Sequence, residues 1–127
     1  MTSGLSPELQ KLIRQHIQSV EQLEILCALI EDPARSWAEG AVYHRIQSSL
    51  DSVSRNLRQF ANQGFLAHDP SSGYRFSPQT PELQAFSAEL LKAYRERRVS
   101  VIEAIYQAPF DPIRQFADAF NLRKDKP

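Results

Sequence analysis

The chain of 127 residues holds a single cysteine, Cys27, so neither an internal disulfide nor a CxxC zinc site can be built from it. Its three histidines, His16, His44 and His68, share no ligand spacing with one another and have no cysteine close by. No metal and no cofactor is therefore expected. Glycine is scarce, with four in all, and no Gly-rich phosphate loop, nucleophile elbow or HExxH pair is present. The carboxylates fall mostly in helix caps and on helix outer faces, so no acid–base pair stands out and the expectation is that the protein is not an enzyme. Long apolar runs are missing too. The longest, Ile25-Leu-Cys-Ala-Leu-Ile30, is far short of the roughly 20 residues of a membrane span. The N-terminal MTSGLSPELQKL lacks the charged, apolar and cleavage regions of a signal peptide. These absences together predict a soluble, cytoplasmic protein with no membrane contact. An excess of either charge is absent as well. Fifteen Lys+Arg balance fifteen Asp+Glu, which excludes a histone-like protein held on nucleic acid by bulk charge.

What is present is a globular composition, 42% hydrophobic and 24% charged, at a length suited to one core. Prolines and capping residues divide it. Ser6-Pro7-Glu8 reads as N-cap, first-turn proline and an acid favourable to the helix dipole, with Leu9, Leu12, Ile13 and Ile17 following at helical spacing. That helix should end at His16 or Gln18. Ser19 with Gln22 forms a capping box for a second helix, apolar nearly all round and hence buried, which Asp32-Pro33 stops. Ser36 with Glu39 suggests another box and a short helix from Trp37 to about Ile46, in which Gly40 would need a close helix–helix approach to justify it. Ser48 with Asp51 suggests a third box, opening a helix over 49–63 that Gly64 ends. Residues 65–77 read as a β-hairpin around Pro70-Ser-Ser-Gly73. Thr80-Pro81-Glu82 opens a pattern that runs as one helix to about Gln107, and Asp111-Pro112 opens a last short helix carrying Ile113, Phe116, Ala117 and Phe120.

The expected class is mainly α with a small β-hairpin wing. Residues 1–78 would form a winged helix-turn-helix domain with an N-terminal helix, and 79–127 a long C-terminal helix and a short helix serving dimerisation. The stretch Val53-Ser-Arg-Asn-Leu-Arg-Gln-Phe-Ala-Asn-Gln-Gly-Phe-Leu66, followed by a hairpin, resembles the recognition helix and wing entry of bacterial MarR-like and ArsR-like transcriptional regulators. In those families a Ser-Arg pair precedes two leucine-type core positions, then Gly, then an apolar strand. Ala93-Tyr-Arg-Glu-Arg-Arg-Val-Ser-Val-Ile102 with Phe116-Ala-Asp-Ala-Phe-Asn-Leu-Arg-Lys-Asp125 is similar to the C-terminal tails of uncharacterised bacterial winged-helix proteins. The resemblance implies a regulator that reads double-stranded DNA.

The helix over 49–63 points the same way by its own pattern. Leu50, Val53, Leu57, Phe60 and Ala61 share one face, and the opposite face carries Arg55, Arg58, Ser52, Asn56, Gln59 and Asn62 with one acid, Asp51. A face kept only for solubility would interleave Glu and Lys, and this one has neither. Arg can donate in a fork to guanine, and Asn or Gln can pair with adenine. Ser52, Ser54, Arg55, Asn56 and Gln59 are the candidates for base edges or nearby phosphates. Arg58 and Arg75 are the candidates for the backbone, and His68 joins Arg75 on the wing. Segment charges agree. Residues 1–33 carry two bases and five acids, net −3, whereas residues 34–78 carry five bases and three acids, net +2.

A single helix from 81 to 107 would span roughly 40 Å, against a domain width of roughly 36 Å. Its apolar stripe, Leu83, Phe86, Leu90, Tyr94, Val101 and Ile105, is wide enough to serve the core and a partner helix, so a homodimer through these residues is expected. The alternative reading is a winged-helix protein–protein interaction module without DNA binding, favoured by the zero net charge. A further one is a repressor answering a small-molecule effector in a pocket lined by Trp37 or Tyr94, or answering oxidation at Cys27.

Overall fold

The computed structural model describes residues 5–106, so the expected helix after Asp111 and the tail lie outside the described residues. Six helices and a two-stranded antiparallel hairpin make the fold mainly helical: α1 (Pro7–His16), α2 (Val20–Glu31), α3 (Glu39–Ile46), α4 (Leu50–Asn62), β1 (Leu66–Asp69), β2 (Gly73–Phe76), α5 (Pro81–Glu96) and α6 (Arg98–Tyr106). No helix among the described residues is long and apolar enough to cross a membrane.

Local chemistry starts four of the helices. Ser6, Ser19, Ser49 and Thr80 each accept a hydrogen bond from the backbone N–H three residues on, at 3.1 Å. Gln22 completes its box one residue early, because its Oε1 accepts from the N–H of Gln18 rather than of Ser19. Two expected boxes are corrected. The cap of α4 is Ser49, not Ser48, since Gln47 takes the left-handed conformation (φ 61°) and carries the chain one residue further before the helix begins. Ser36 caps nothing. The helix starts at Glu39 behind Ala38, which makes no side-chain cap, and Trp37 is not in it. The Trp37 N–H and C=O instead pair with Tyr74 at 2.7 and 2.8 Å, so 36–37 runs extended along the outer edge of β2.

α2 lies at the centre and packs on α3, α4, α5 and β2, as its all-round apolar surface requires. Leu23, Ile25, Leu26 and Leu29 are fully enclosed, and one continuous core draws on every helix and on both sides of residue 78. Gly40 is exposed, and a Cβ there would meet nothing within 4 Å, so the expected close approach does not exist.

The expected single long helix is two. α5 ends at Arg97 (φ −141°, ψ 54°), and α6 sets off in a new direction. Neither proline nor glycine marks the break. It goes with packing: α5, with Phe86, Leu90 and Ala93 buried, lies on α2 and on α1, whereas α6, with Val101, Ala104 and Ile105 buried, lies mainly on α1. Arg98 fixes the corner, reaching Glu24 of α2 at 2.9 Å and lying 5.2 Å over the Tyr94 ring. The geometric case for a helix as long as the domain is wide falls with the break. Of the six stripe residues, Phe86, Leu90, Val101 and Ile105 close the chain's own core, and Leu83 and Tyr94 pack partly buried against it. As placed, they have little surface left to offer a partner.

One titration follows from this core. His16, at the end of α1, packs edge-on to Phe65 (5.2 Å) and beside Phe86 (5.3 Å), and partial burial holds its pKa below the ordinary 6.5. The folded chain therefore prefers the neutral ring. Stability is full above the ordinary value and falls as pH drops through it, because the unfolded chain takes up the proton more readily. Melting temperatures at about pH 8 and about pH 5 should show a larger drop for the wild type than for His16→Gln. Equal drops would remove His16 from the account.

Candidate nucleic-acid interface

α4 buries Val53, Leu57 and Phe60 completely and turns its other side outward. Its seating is polar as well as apolar. The Glu21 carboxylate of α2 accepts from Ser52 Oγ at 2.7 Å and from Asn56 Nδ2 at 3.1 Å. Gln22, itself buried, donates to Asn56 Oδ1 at 3.0 Å. On the other flank, Ser54 Oγ donates to Glu39 of α3 at 3.0 Å. Three of the expected base-reading residues, Ser52, Ser54 and Asn56, thus turn towards neighbouring helices. In this arrangement they hold α4 in place and do not project from it. The sequence pattern missed this because a helical wheel shows which side a residue is on, not which neighbour meets it.

The outward face is narrower than expected. Arg55 is exposed, with 62% of its side chain open and only a 3.9 Å contact to Asp51 one turn back. Arg58 is exposed, and Gln59 is half-buried. Arg58 lies where helix and hairpin meet. Its charge acts on Tyr74, whose pKa is raised by burial first and by Glu39 second, with Arg58 opposing both.

The hairpin follows α4 directly. Gly64 (φ 95°) reverses the chain, and its carbonyl and that of Phe65 accept from Gln79 and Ser77 at 2.9 Å each, extending the ladder past the strands. At the tip, Asp69 Oδ1 accepts from both the N–H and the hydroxyl of Ser71 at 2.8 Å. These bonds, the backbone one foremost, lower its pKa. His68 is exposed and stacks on Tyr74 at 4.3 Å. Arg75 is exposed and pairs across the ladder with Ala67, so it points from the sheet face opposite Tyr74 and His68. The two expected wing contacts therefore diverge.

Three further side chains stand outside the expected set. Leu50, expected in the core, is 51% exposed, and Tyr43 of α3 is also open. Arg35 lies 3.6 Å over the ring of buried Trp37, beside the hairpin edge.

A cavity of about 220 Å³ is lined by Glu24, Cys27, Ala28, Glu31, Arg45, Ile46 and Tyr94. It is smaller than the usual 300–1,000 Å³ of a ligand site. Its carboxylates are already paired, Glu31 with Arg45 and Arg95 at 3.5 Å and Glu24 with Arg98. Burial, reinforced by Glu31, pushes the Cys27 thiol up to about 12, so it carries almost no reactive thiolate at neutral pH. No group of three metal-ligating side chains occurs among the described residues. No protein-family model matches the chain, and no curated protein and no solved structure matches it significantly.

Proposed function

We propose that the chain is a DNA-binding transcriptional regulator that reads duplex DNA with α4 and braces it with the hairpin. The outer face of α4 carries the reading. Arg55 and Arg58 stand open there, on a helix whose other sides are held by α2 and α3 and which runs straight into a hairpin. The order of elements from α2 to β2, with the extended 36–37 segment as a third edge beside β2, is what a winged helix-turn-helix requires. An α-helix fits the major groove, where arginine can grip guanine in a fork, and Arg75 on the hairpin has the charge to meet a phosphate. A symmetric pair of chains would offer two α4 helices to two half-sites about one helical turn apart. Apolar groups left outside the core, such as Val99 and Tyr106 of α6, are available for such pairing.

The test is fluorescence anisotropy with a duplex enriched from a random pool by the full chain, at two salt concentrations. Arg55→Ala with Arg58→Ala should weaken binding by about 30-fold and flatten its salt dependence. Unchanged affinity would overturn the assignment.

A further inference from the structure

The apolar stripe of α4 does not end where the core ends. Val53, Leu57 and Phe60 are at most 1% exposed, yet Leu50, in line with them at the first position of the helix, is 51% exposed. The fold makes little use of this side chain. Ser49, Asp51 and Arg55 of the same end of α4 are exposed, and so is Tyr43 of α3. The small polar residues of the next turns, Ser52, Ser54 and Asn56, are turned onto Glu21 and Glu39. What the leading end of α4 presents outward is therefore one branched apolar group, Leu50, followed by the Asp51 carboxylate, 91% open and 3.9 Å from the Arg55 guanidinium just over a turn later.

We infer that Leu50 is a specificity residue that packs on the C5-methyl group of a thymine. This rests on the proposal that α4 enters the major groove. A recognition helix meets base edges chiefly with its N-terminal residues. Of the four bases, only thymine shows an apolar group in that groove. A leucine there gains by covering the methyl and gains nothing over cytosine, whose edge carries a donor. The site read by this chain then holds a thymine near the guanine gripped by Arg55. Leu50 discriminates through one methyl group, which on apolar burial alone corresponds to about fourfold in affinity.

Replacing thymine by uracil removes that methyl and leaves the base-pair hydrogen bonds unchanged. The experiment takes the enriched duplex and substitutes uracil at each thymine in turn, reading affinity by anisotropy at fixed salt for the full chain and for Leu50→Ala. Because Leu50 is exposed, the variant should melt with the wild type. The expected result is one position, or two related by symmetry, at which uracil weakens wild-type binding about fourfold. Leu50→Ala should bind thymine and uracil duplexes alike at that position. Salt-dependent binding with no uracil-sensitive position, or a thymine preference that persists in Leu50→Ala, would overturn the inference while leaving the DNA-binding reading in place. So would unchanged duplex affinity in Leu50→Ala, the outcome expected if this leucine meets a protein instead. Absence of any salt-dependent duplex binding by the wild type would overturn both.

Discussion

Gly73→Ala should destabilise the protein by about 4 kcal/mol and lower its melting temperature by roughly 15 °C. Gly73 sits at the start of β2 with φ 106°, a conformation that residues with a Cβ rarely adopt. Space is the larger difficulty. A Cβ there would lie 2.0 Å from the Trp37 carbonyl oxygen and 2.5 Å from its carbon, so the backbone itself must move. The segment that must move is the one Trp37 forms with Tyr74 through two short backbone hydrogen bonds. Losing both forfeits about 1 kcal/mol each, and the positive φ adds about 1–3 kcal/mol of strain. Tyr74 and Trp37 are buried, so the disturbance reaches the core, and it unseats the edge that holds the hairpin against the body. The proposed wing would lose its aim, and duplex affinity should fall with stability. Gly40→Ala is the internal control. A Cβ at Gly40 meets nothing within 4 Å, and that variant should melt no lower than the wild type. A Gly73→Ala protein that melts within about 3 °C of wild type would show that the hairpin is not pinned as described.

Phe65→Ala should cost about 4 kcal/mol, the usual range for emptying a fully enclosed aromatic site. Phe65 follows the turn at Gly64 and projects into the meeting point of three helices. Its ring is edge-on to His16 of α1 at 5.2 Å and to Phe60 of α4 at 5.7 Å, and it packs 6.0 Å from Phe86 of α5. Interiors are close-packed, and three separate elements cannot all collapse onto one vacancy. Its backbone also accepts from Ser77, tying the same residue to the hairpin. Urea denaturation should show a lower midpoint at nearly unchanged slope, and Phe65→Leu should lose less than half as much. A loss below about 1 kcal/mol for Phe65→Ala would mean that this junction is loosely packed.

Caps and turns were legible where the chemistry is local. Ser6, Ser19 and Thr80 have acceptors at the right spacing from a free N–H, and proline follows two of them, so α1, α2 and α5 could be started from sequence to the residue. The hairpin was legible because Pro70-Ser-Ser-Gly73 separates two apolar runs, and Asp69 then closes the turn through Ser71. The cap of α4 slipped by one residue because Ser48 and Ser49 are chemically alike. Only the left-handed Gln47 decides between them, and glutamine carries no signal for that conformation.

The candidate site was legible as a face and not as a set of contacts. Arg55 and Arg58 are open as the pattern required, whereas Ser52, Ser54 and Asn56 of the same polar arc are tied to neighbouring helices. Glu21, Gln22 and Glu39 come from segments 15 to 35 residues away in sequence, and no local rule pairs them. Leu50 was misplaced for the converse reason. It belongs to the apolar stripe by spacing, but the helices that cover the stripe stop short of its first turn.

Two properties stand on composition alone: one cysteine forms no internal disulfide, and balanced charge gives no bulk attraction to nucleic acid. Composition and period also determined that the described chain is mainly helical with one hairpin, since capping and 3.6-residue spacing act within a few residues. Tertiary structure decided where the last helical stretch breaks. α5 packs on α2 as well as on α1, whereas α6 packs mainly on α1, and the backbone leaves the helical conformation at Arg97 between them. It decided by the same token that the stripe expected to join two chains fills this chain's own core. Burial is shared among elements distant in sequence, and which of them meet is settled only when the chain has closed on itself.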